Sequence, residues 1–505
     1  MNFSSLINQI AKRLPEKVAL IEGRTSITYN QLWSTVEALT NSLFEVGLKK
    51  SDKIVLILPN CREFIYCFFA ILRADIIVVP LNPSLSPHEI RTVFDDCKPK
   101  AIITNPSILS KIAARNEAVL RDKIIIVHDG SNIHGEKRYS GPTLTLERLY
   151  SPKKRLPIHK LATNNNQVAS INYTYRGYGY PLGALLTHGN YIHGAVGYIR
   201  LVEPSLDQKF LLAMPISHIF TLIGCVVVPL LRGATVVIMK NIIPSHIFKA
   251  IKDNKIDFLV GVPTFYKVLS RNYDDSKYDI SSVKYGISGG APLDRALYDE
   301  IKNRLKFQLI QGYGLTETLP VVCNPKTKVK PAALGIPGHE VKVKIVDESG
   351  ARKKPGEMGE ILIGGPTVMK GYLNHRHESE DVLKDGWVYT GDIGMLDKDG
   401  YLYFDSLKKD IVKVGGNTVD LQEIQKALFS HPDVINAKIY SKINELWGSV
   451  IEAEVHIKQS ATLSEKDVKD YCSERLAIYK IPRKIKIVRM KSENSVYIAS
   501  RKNNQ

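Results

Sequence analysis

Six cysteines occur in the 505-residue chain, Cys61, Cys67, Cys97, Cys225, Cys323 and Cys472, and none forms a CxxC pair. Several sit in apolar runs, where a thiol behaves as a small hydrophobe. A disulfide framework or a zinc site is therefore not expected, and the usage fits a reducing, cytoplasmic setting. Long apolar runs are missing as well. The longest, Ile219 to Leu231, is short for a bilayer and contains Gly and Pro, so it reads as buried core. No transmembrane segment is expected, while peripheral contact with a membrane stays open. The residues Met1-Asn2-Phe3-Ser4-Ser5 carry no basic stretch followed by an apolar one, and no signal peptide is read there. No arginine-rich tract with interleaved aromatics is present, which argues against nucleic acid as a partner. No strand–GxGxxG–helix segment with a later acid is present, which disfavours a dinucleotide dehydrogenase. Repeats and low-complexity segments are absent.

What remains is a chain of ordinary globular composition, 44% apolar and 24% charged, too long for one core. Its formal net charge of +18 attracts polyanions, including phosphorylated small molecules, yet the basic residues are scattered singly or in short clusters such as Lys153-Lys154-Arg155. The polar tail from Lys502 to Gln505 reads as disordered.

Strand and helix patterns alternate. Lys53 to Leu58 reads as a strand ended by Pro59-Asn60, Glu63 to Leu72 as a helix, Ile76 to Pro80 as a strand, Pro87 to Asp96 as a helix and Ala101 to Thr104 as a strand. Such a rhythm implies parallel sheets covered by helices. It recurs at Thr235 to Met239, Phe258 to Val262 and Tyr285 to Ser288. From about Gly338 a smaller β-rich unit is read, with strands at Val341 to Val346, Gly359 to Gly364 and Gly400 to Phe404. After Lys409 a helix at Leu421 to Ser430, strands near Val434 to Tyr440 and Val450 to Ile457, and a helix at Ser464 to Leu476 suggest an α+β module of about 95 residues.

Three segments carry chemistry. In Gln311-Gly312-Tyr313-Gly314-Leu315-Thr316-Glu317, a strand ends in flexible backbone with an aromatic face beside a hydroxyl and a carboxylate suited to phosphate and Mg²⁺. In Trp387-Val388-Tyr389-Thr390-Gly391-Asp392, an acid follows a turn and can grip two ribose hydroxyls. Ser288-Gly289-Gly290-Ala291-Pro292-Leu293 is a small-residue loop that allows close backbone approach to a ligand. Each alone also reads as a turn with a capping acid.

Together, and in this order, the three segments resemble the adenylate-forming family of acyl-CoA synthetases, luciferases and nonribosomal-peptide adenylation domains. The resemblance runs over nearly the whole chain. It takes in Ser26 to Leu32, Leu58-Pro59-Asn60, Val79 to Pro83, Pro215-Ile216-Ser217-His218, Gly335 to Gly338, Gly356 to Glu360, Met369-Lys370-Gly371-Tyr372 and Val414-Gly415-Gly416 to Glu423-Ile424. It implies that Tyr313 stacks on adenine above Gly290, Ala291 and Pro292. Thr316 would touch the α-phosphate, Glu317 would hold Mg²⁺ and Asp392 would bind the ribose. His218 would stand beside the acyl carboxylate, against the alternative of a satisfied core histidine. Lys409-Asp410 would mark the hinge, and Gly415-Gly416 the loop used for thioester formation.

The phosphate loop departs from the family pattern. Where that pattern runs Tyr-Thr-Ser-Gly-Thr-Thr-Gly-x-Pro-Lys-Gly, the chain has Tyr173-Thr174-Tyr175-Arg176-Gly177-Tyr178-Gly179-Tyr180-Pro181-Leu182-Gly183. Thr174 and the frame remain, with Thr187-His188 downstream. Tyr175 and Tyr178 crowd a cradle normally made of amides and hydroxyls, and Leu182 replaces the pyrophosphate lysine. Arg176 is the cation available to replace it. Leu407 stands for a ribose-contacting arginine, and Tyr497, in Ser495-Val496-Tyr497-Ile498, for the catalytic lysine, with Lys491 and Lys502 as substitutes only if the loop re-registers.

The resulting expectation is an α/β fold: a large N-terminal domain of two doubly wound subdomains plus a small β-rich one (residues 1–405), a hinge (406–409) and a small mobile α+β domain (410–505). The site is expected between the domains, near Thr316, Glu317 and Asp392. The implied activity joins a fatty or other apolar carboxylic acid to AMP, then to CoA or the phosphopantetheine of an acyl carrier protein, using ATP and Mg²⁺. The alternatives are a non-catalytic relative that binds an acyl ligand, nucleotide or partner, and an acyl transferase that bypasses ATP.

Overall fold

A computed structural model of the protein describes residues 2–129, 141–152, 164–407, 411–444 and 447–490. The cluster Lys153-Lys154-Arg155, the hinge residues 408–409, and Lys491, Tyr497 and the tail beyond it lie outside the described residues.

Two compact units form. The larger comprises Met1–Pro83, Asp96–Tyr173 and Leu182–Lys408; the smaller comprises Ser84–Asp95, Thr174–Pro181 and Lys409–Gln505.

Two α/β sheets build most of the larger unit. One is nine-stranded, with parallel pairing running through Gln308–Leu315, Tyr285–Ser288, Phe258–Gly261, Lys209–Leu212, Thr235–Ile238 and Val18–Glu22, and antiparallel strands at its margins. The other is seven-stranded, in the spatial order Leu144–Thr145, Ile124–Val127, Ala101–Thr104, Lys53–Leu56, Ile77–Pro80, Val168–Thr174 and Leu182–Thr187. The central strands are four residues long, mostly apolar and buried at nearly every position, as parallel strands covered on both faces must be. The helix Arg62–Arg73 is buried from Glu63 to Leu72, which explains its wide apolar face. A third, antiparallel sheet joins Lys342–Val346, Gly359–Gly364, Trp387–Leu396, Leu383–Lys384 and Leu402–Leu407. The strand expected at Gly400 to Phe404 begins later and runs to Leu407, because Gly400 and Tyr401 close a turn onto Asp397.

The smaller unit holds a five-stranded sheet. In it the hairpin Val434–Asn444 and Gly448–Lys458 is flanked by Ile411–Val414 and Asn417–Asp420, with Lys484–Met490 adding in parallel. Two helices, Leu421–Phe429 and Glu465–Ser473, cover one face. Val419, Ile424, Leu428, Ala437, Val455, Ile457, Val468 and Cys472 form its apolar core. The hairpin strands are longer than their apolar pattern suggests, since their distal ends pair in the open: Ile443 is 91% exposed.

A buried ammonium ties three stretches of chain together in this unit. Lys480 is fully buried, and its Nζ lies 2.6 Å from Glu89 Oε1, 2.9 Å from Glu423 Oε2 and 3.8 Å above the ring of Tyr175. Glu89 is itself fixed by a reciprocal cap, accepting from Ser86 N–H at 2.7 Å while its own N–H donates to Ser86 Oγ at 3.2 Å. Burial pushes the Glu423 carboxyl from its ordinary 4.5 up to about 7. The Lys480 ammonium opposes that rise, Glu89 reinforces it, and a hydrogen bond from Tyr175 opposes it.

Because the folded state holds the Glu423 proton more tightly than the unfolded chain does, this contribution to stability is fully present below about pH 4.5 and is lost as pH rises through about 7. The groups facing Glu423 are Lys480, Glu89, Tyr175 and Tyr479. Unfolding midpoints of the smaller unit between pH 5 and 8 are expected to fall less steeply in Glu423→Gln, whose amide mimics the protonated acid, than in the native chain. Parallel slopes would remove Glu423 as the titrating group.

Candidate active site

The site in the larger unit starts from a backbone constraint. Gln308–Leu315 pairs antiparallel with Leu319–Cys323, and the register slips between Tyr313 and Gly314. A Cβ at Gly314 would lie 2.1 Å from the Leu319 carbonyl oxygen and 2.5 Å from Pro320 Cα, so only glycine fits. The strand then turns through Thr316 and Glu317. Thr318 N–H closes the turn onto Leu315 O at 3.2 Å, and Met369 N–H holds the Glu317 carbonyl at 2.8 Å.

Two tyrosine–carboxylate bonds follow. Tyr372 OH donates to Glu317 Oε1 at 2.6 Å, and Tyr313 OH donates to Asp392 Oδ2 at 2.6 Å. Both lengths belong to the charge-assisted class. The second bond joins the nine-stranded sheet to the antiparallel one, since Asp392 lies on Trp387–Leu396. Glu317 is 1% and Asp392 5% exposed, while Thr316 beside them is half-buried. Asp392 N–H donates to Thr390 Oγ1 at 3.1 Å, and that hydroxyl donates to Ile361 O at 2.7 Å, fixing the approach to the acid.

The loop after Tyr285–Ser288 carries Gly290, at φ +76°, then the half-buried Ala291 and the exposed Pro292. Beneath it, Ser288 and Gln311 are register partners on adjacent strands, and their Oγ and Oε1 are buried without a hydrogen-bond partner. Such orphaned polar atoms are rare, and they suit a polar ligand held against this loop. The apolar run Ile219 to Leu231 is helical with a π segment at Leu222–Val227 and is almost wholly core. Phe220 is part of that core at 8% exposure, and its ring would meet a Cβ on Gly289 at 2.8 Å, which puts an apolar surface beside the loop. His218, just before this run, is exposed, so a buried core histidine is not what the chain builds there.

The remaining residues lie in the smaller unit. Thr174 is half-buried, and Arg176 is buried to 4%. Gly415 and Gly416, at φ +56° and +85°, form the two-residue turn between Ile411–Val414 and Asn417–Asp420, a geometry that demands positive φ at both positions. Leu182, at the lysine position of the phosphate loop, is fully buried in the larger unit.

Sequence reasoning assigned no role to Tyr372 or Gln311. Both lay in quoted motifs, but nothing local shows that Tyr372 reaches Glu317 across 55 residues. No group of three or more His, Cys, Asp or Glu suited to a metal occurs among the described residues. Glu317 therefore fits Mg²⁺ only in the mode of one carboxylate plus nucleotide phosphates, which Mg²⁺ commonly adopts. Removing the Tyr372 hydroxyl leaves a buried carboxylate short of that donor. Tyr372→Phe is expected to lower stability by about 1–3 kcal/mol in urea unfolding, and an unchanged midpoint would show that the bond contributes nothing.

Residues 7–373 match the AMP-binding enzyme family, and residues 423–495 match the AMP-binding enzyme C-terminal domain. A long-chain-fatty-acid–CoA ligase of Bacillus subtilis is 28% identical over 502 residues, covering 95% of this chain and 90% of that protein. An indoleacetate–CoA ligase of Aromatoleum aromaticum is 31% identical over 488 residues, covering 96% and 94%. Among solved structures, the o-succinylbenzoate CoA synthetase of Bacillus subtilis, bound with a product analogue, superposes with a TM-score of 0.83 at 27% identity and covers 96% of this chain and 94% of its own. With the glycine-forced turn, the two tyrosine-held carboxylates and both family regions in one chain, the protein belongs to the AMP-binding family of adenylate-forming CoA ligases.

Proposed function

We propose that the protein activates a fatty or other apolar carboxylic acid with ATP and passes the acyl group to CoA, with a carrier-protein phosphopantetheine thiol as the other acceptor of the same chemistry. In the first step a carboxylate oxygen attacks the α-phosphorus, the bond to pyrophosphate breaks, and an acyl-adenylate forms. In the second, a thiolate attacks the acyl carbon and AMP leaves. The observation that carries this reading is the pairing of Tyr313 with Asp392 beside Glu317.

Each group has a task in that chemistry. Asp392 accepts the two ribose hydroxyls, and the Tyr313 hydroxyl fixes its orientation while the ring backs the adenine against Gly290, Ala291 and Pro292. The orphaned atoms of Ser288 and Gln311 supply polar recognition below the loop. Thr316 donates to the α-phosphate as charge builds there, an electrostatic contribution worth about 2.7–4 kcal/mol in comparable sites. Mg²⁺, when bound, neutralises phosphate charge, and Glu317 is the residue that would hold it. His218 orients the acid's carboxylate, and Phe220 favours an apolar acyl chain. The relatives' names differ in the acid, long-chain fatty acid, indoleacetate and o-succinylbenzoate, so the acid itself is left to this chain's own pocket.

A second reading has its own support. The fully buried Leu182 brings no cation to the pyrophosphate, which favours acyl transfer from a ready-made adenylate or thioester. ATP–pyrophosphate exchange with Mg²⁺ and a panel of fatty and aryl acids separates the two. The native protein is expected to exchange with at least one acid, and Glu317→Ala to lose about 100-fold or more. Silence on every acid by a folded protein would transfer the assignment to a binding or ATP-independent role.

A further inference from the structure

The segment that stands where the family carries its phosphate loop has partners of its own. Gly179, at φ +74°, donates its amide to Asp420 Oδ2 at 2.7 Å. Asp420 is fully buried, and its other oxygen caps the helix Leu421–Phe429 by accepting from Gln422 N–H at 2.9 Å. Lys426, one turn further along that helix, donates to Tyr178 O at 2.8 Å and lies 5.2 Å over the ring of Tyr180. Its side chain passes so close that a Cβ on Gly179 would meet Nζ at 2.6 Å. Upstream, the ring of Tyr175 covers the ammonium of Lys480, which is anchored on Glu89 and Glu423. Tyr178 and Tyr180 pack on each other with centroids 6.1 Å apart.

The chemistry of these contacts is that of a filled anion site. A glycine amide in a loop of this kind is a donor for phosphate oxygen. Here it is taken by a carboxylate from within the same unit. The two positions where the family has small residues, Tyr175 and Tyr178, supply the ring over Lys480 and the carbonyl under Lys426. The departures from the family pattern act together through their rings: Tyr175 covers Lys480, and Tyr178 packs on Tyr180, the ring that lies under Lys426, contacts that a serine or threonine has no ring to make.

We propose that residues 174–181 form an autoinhibitory strap, in which the Asp420 carboxylate occupies the Gly179 amide in place of a nucleotide phosphate and Tyr175 clamps the strap over Lys480. Pyrophosphate-bearing ligands then compete with Asp420 for the same donor, and the strap has to release before the loop can hold them. The part of the inference that concerns nucleotide rests on the ligase reading above; the strap itself does not.

Hydrogen–deuterium exchange of the peptide covering residues 174–181, measured on the full-length protein, tests the strap directly. In the native chain the Gly179 amide is expected to be protected. In Asp420→Ser, which keeps a helix cap but is too short to reach Gly179, that protection should fall about tenfold or more. Magnesium pyrophosphate, titrated by calorimetry, should bind this variant about fivefold or more tightly than the native chain. Lys426→Ala, an exposed position that leaves the core untouched, should show the same direction of change should Asp420→Ser unfold the unit. Native exchange at the rate of an open loop, or equal protection in the native chain and both variants, overturns the strap. Loss of protection with tighter pyrophosphate binding supports it. If that pattern appears while no acid gives pyrophosphate exchange in any variant, the strap stands and the ligase reading falls.

Discussion

A fully buried ammonium has to be neutralised where it sits, and in the smaller unit that requirement organises the chain. Isolated burial of such a charge costs several kcal/mol even after relaxation, so Lys480 draws two carboxylates and an aromatic face around itself. Glu89, Glu423 and Tyr175 come from three distant stretches of sequence. Two of those stretches, Ser84–Asp95 and Thr174–Pro181, are thereby drawn into the unit formed by the C-terminal residues. Burial in that network pushes the Glu423 carboxyl up from 4.5 to about 7, against the pull of Lys480.

The larger unit meets a different constraint. Its chemistry is concentrated where a parallel sheet ends and the backbone must slip register, and Gly314 is the residue that permits the slip. Once the turn exists, Thr316, Glu317 and Tyr313 are placed by geometry, and two tyrosine hydroxyls orient the two carboxylates. A carboxylate held by a donor has less freedom to reorient, which is the preorganisation that binding ribose or a cation requires. The orphaned Ser288 and Gln311 atoms show that the same region retains unused hydrogen-bonding capacity.

The two units differ in how far they keep the family pattern. Tyr313, Thr316, Glu317 and Asp392 are the residue types the family pattern has at those positions, Leu407 being the exception, whereas the loop 174–181 has exchanged small residues for aromatic ones and turned its glycine amide toward Asp420. The substitutions at Tyr175 and Tyr178 have a structural use, because the first ring covers Lys480 and the second packs on Tyr180.

Much of the fold was legible in the chain. Short, mostly apolar runs flagged the strands at Lys53–Leu56, Ala101–Thr104 and Tyr285–Ser288, since a strand buried on both faces has to be largely apolar. Glycine flagged both Gly314, where a side chain would collide with the neighbouring strand, and Gly415–Gly416, where the backbone takes positive φ. Local pattern also singled out the three motifs around Glu317, Asp392 and Gly290. It did not reveal that Tyr372 reaches Glu317, that Arg176 is buried, or that residues 174–181 are bound by Asp420, Lys426 and Lys480. Those contacts span separations of 55 to more than 240 residues. The sequence by itself determined which backbone positions must turn and which runs must be buried, as these follow from sterics and hydration residue by residue. Only the tertiary structure decided which charge meets which partner, because a carboxylate's neighbours are chosen by the packing of whole elements and leave no local signature.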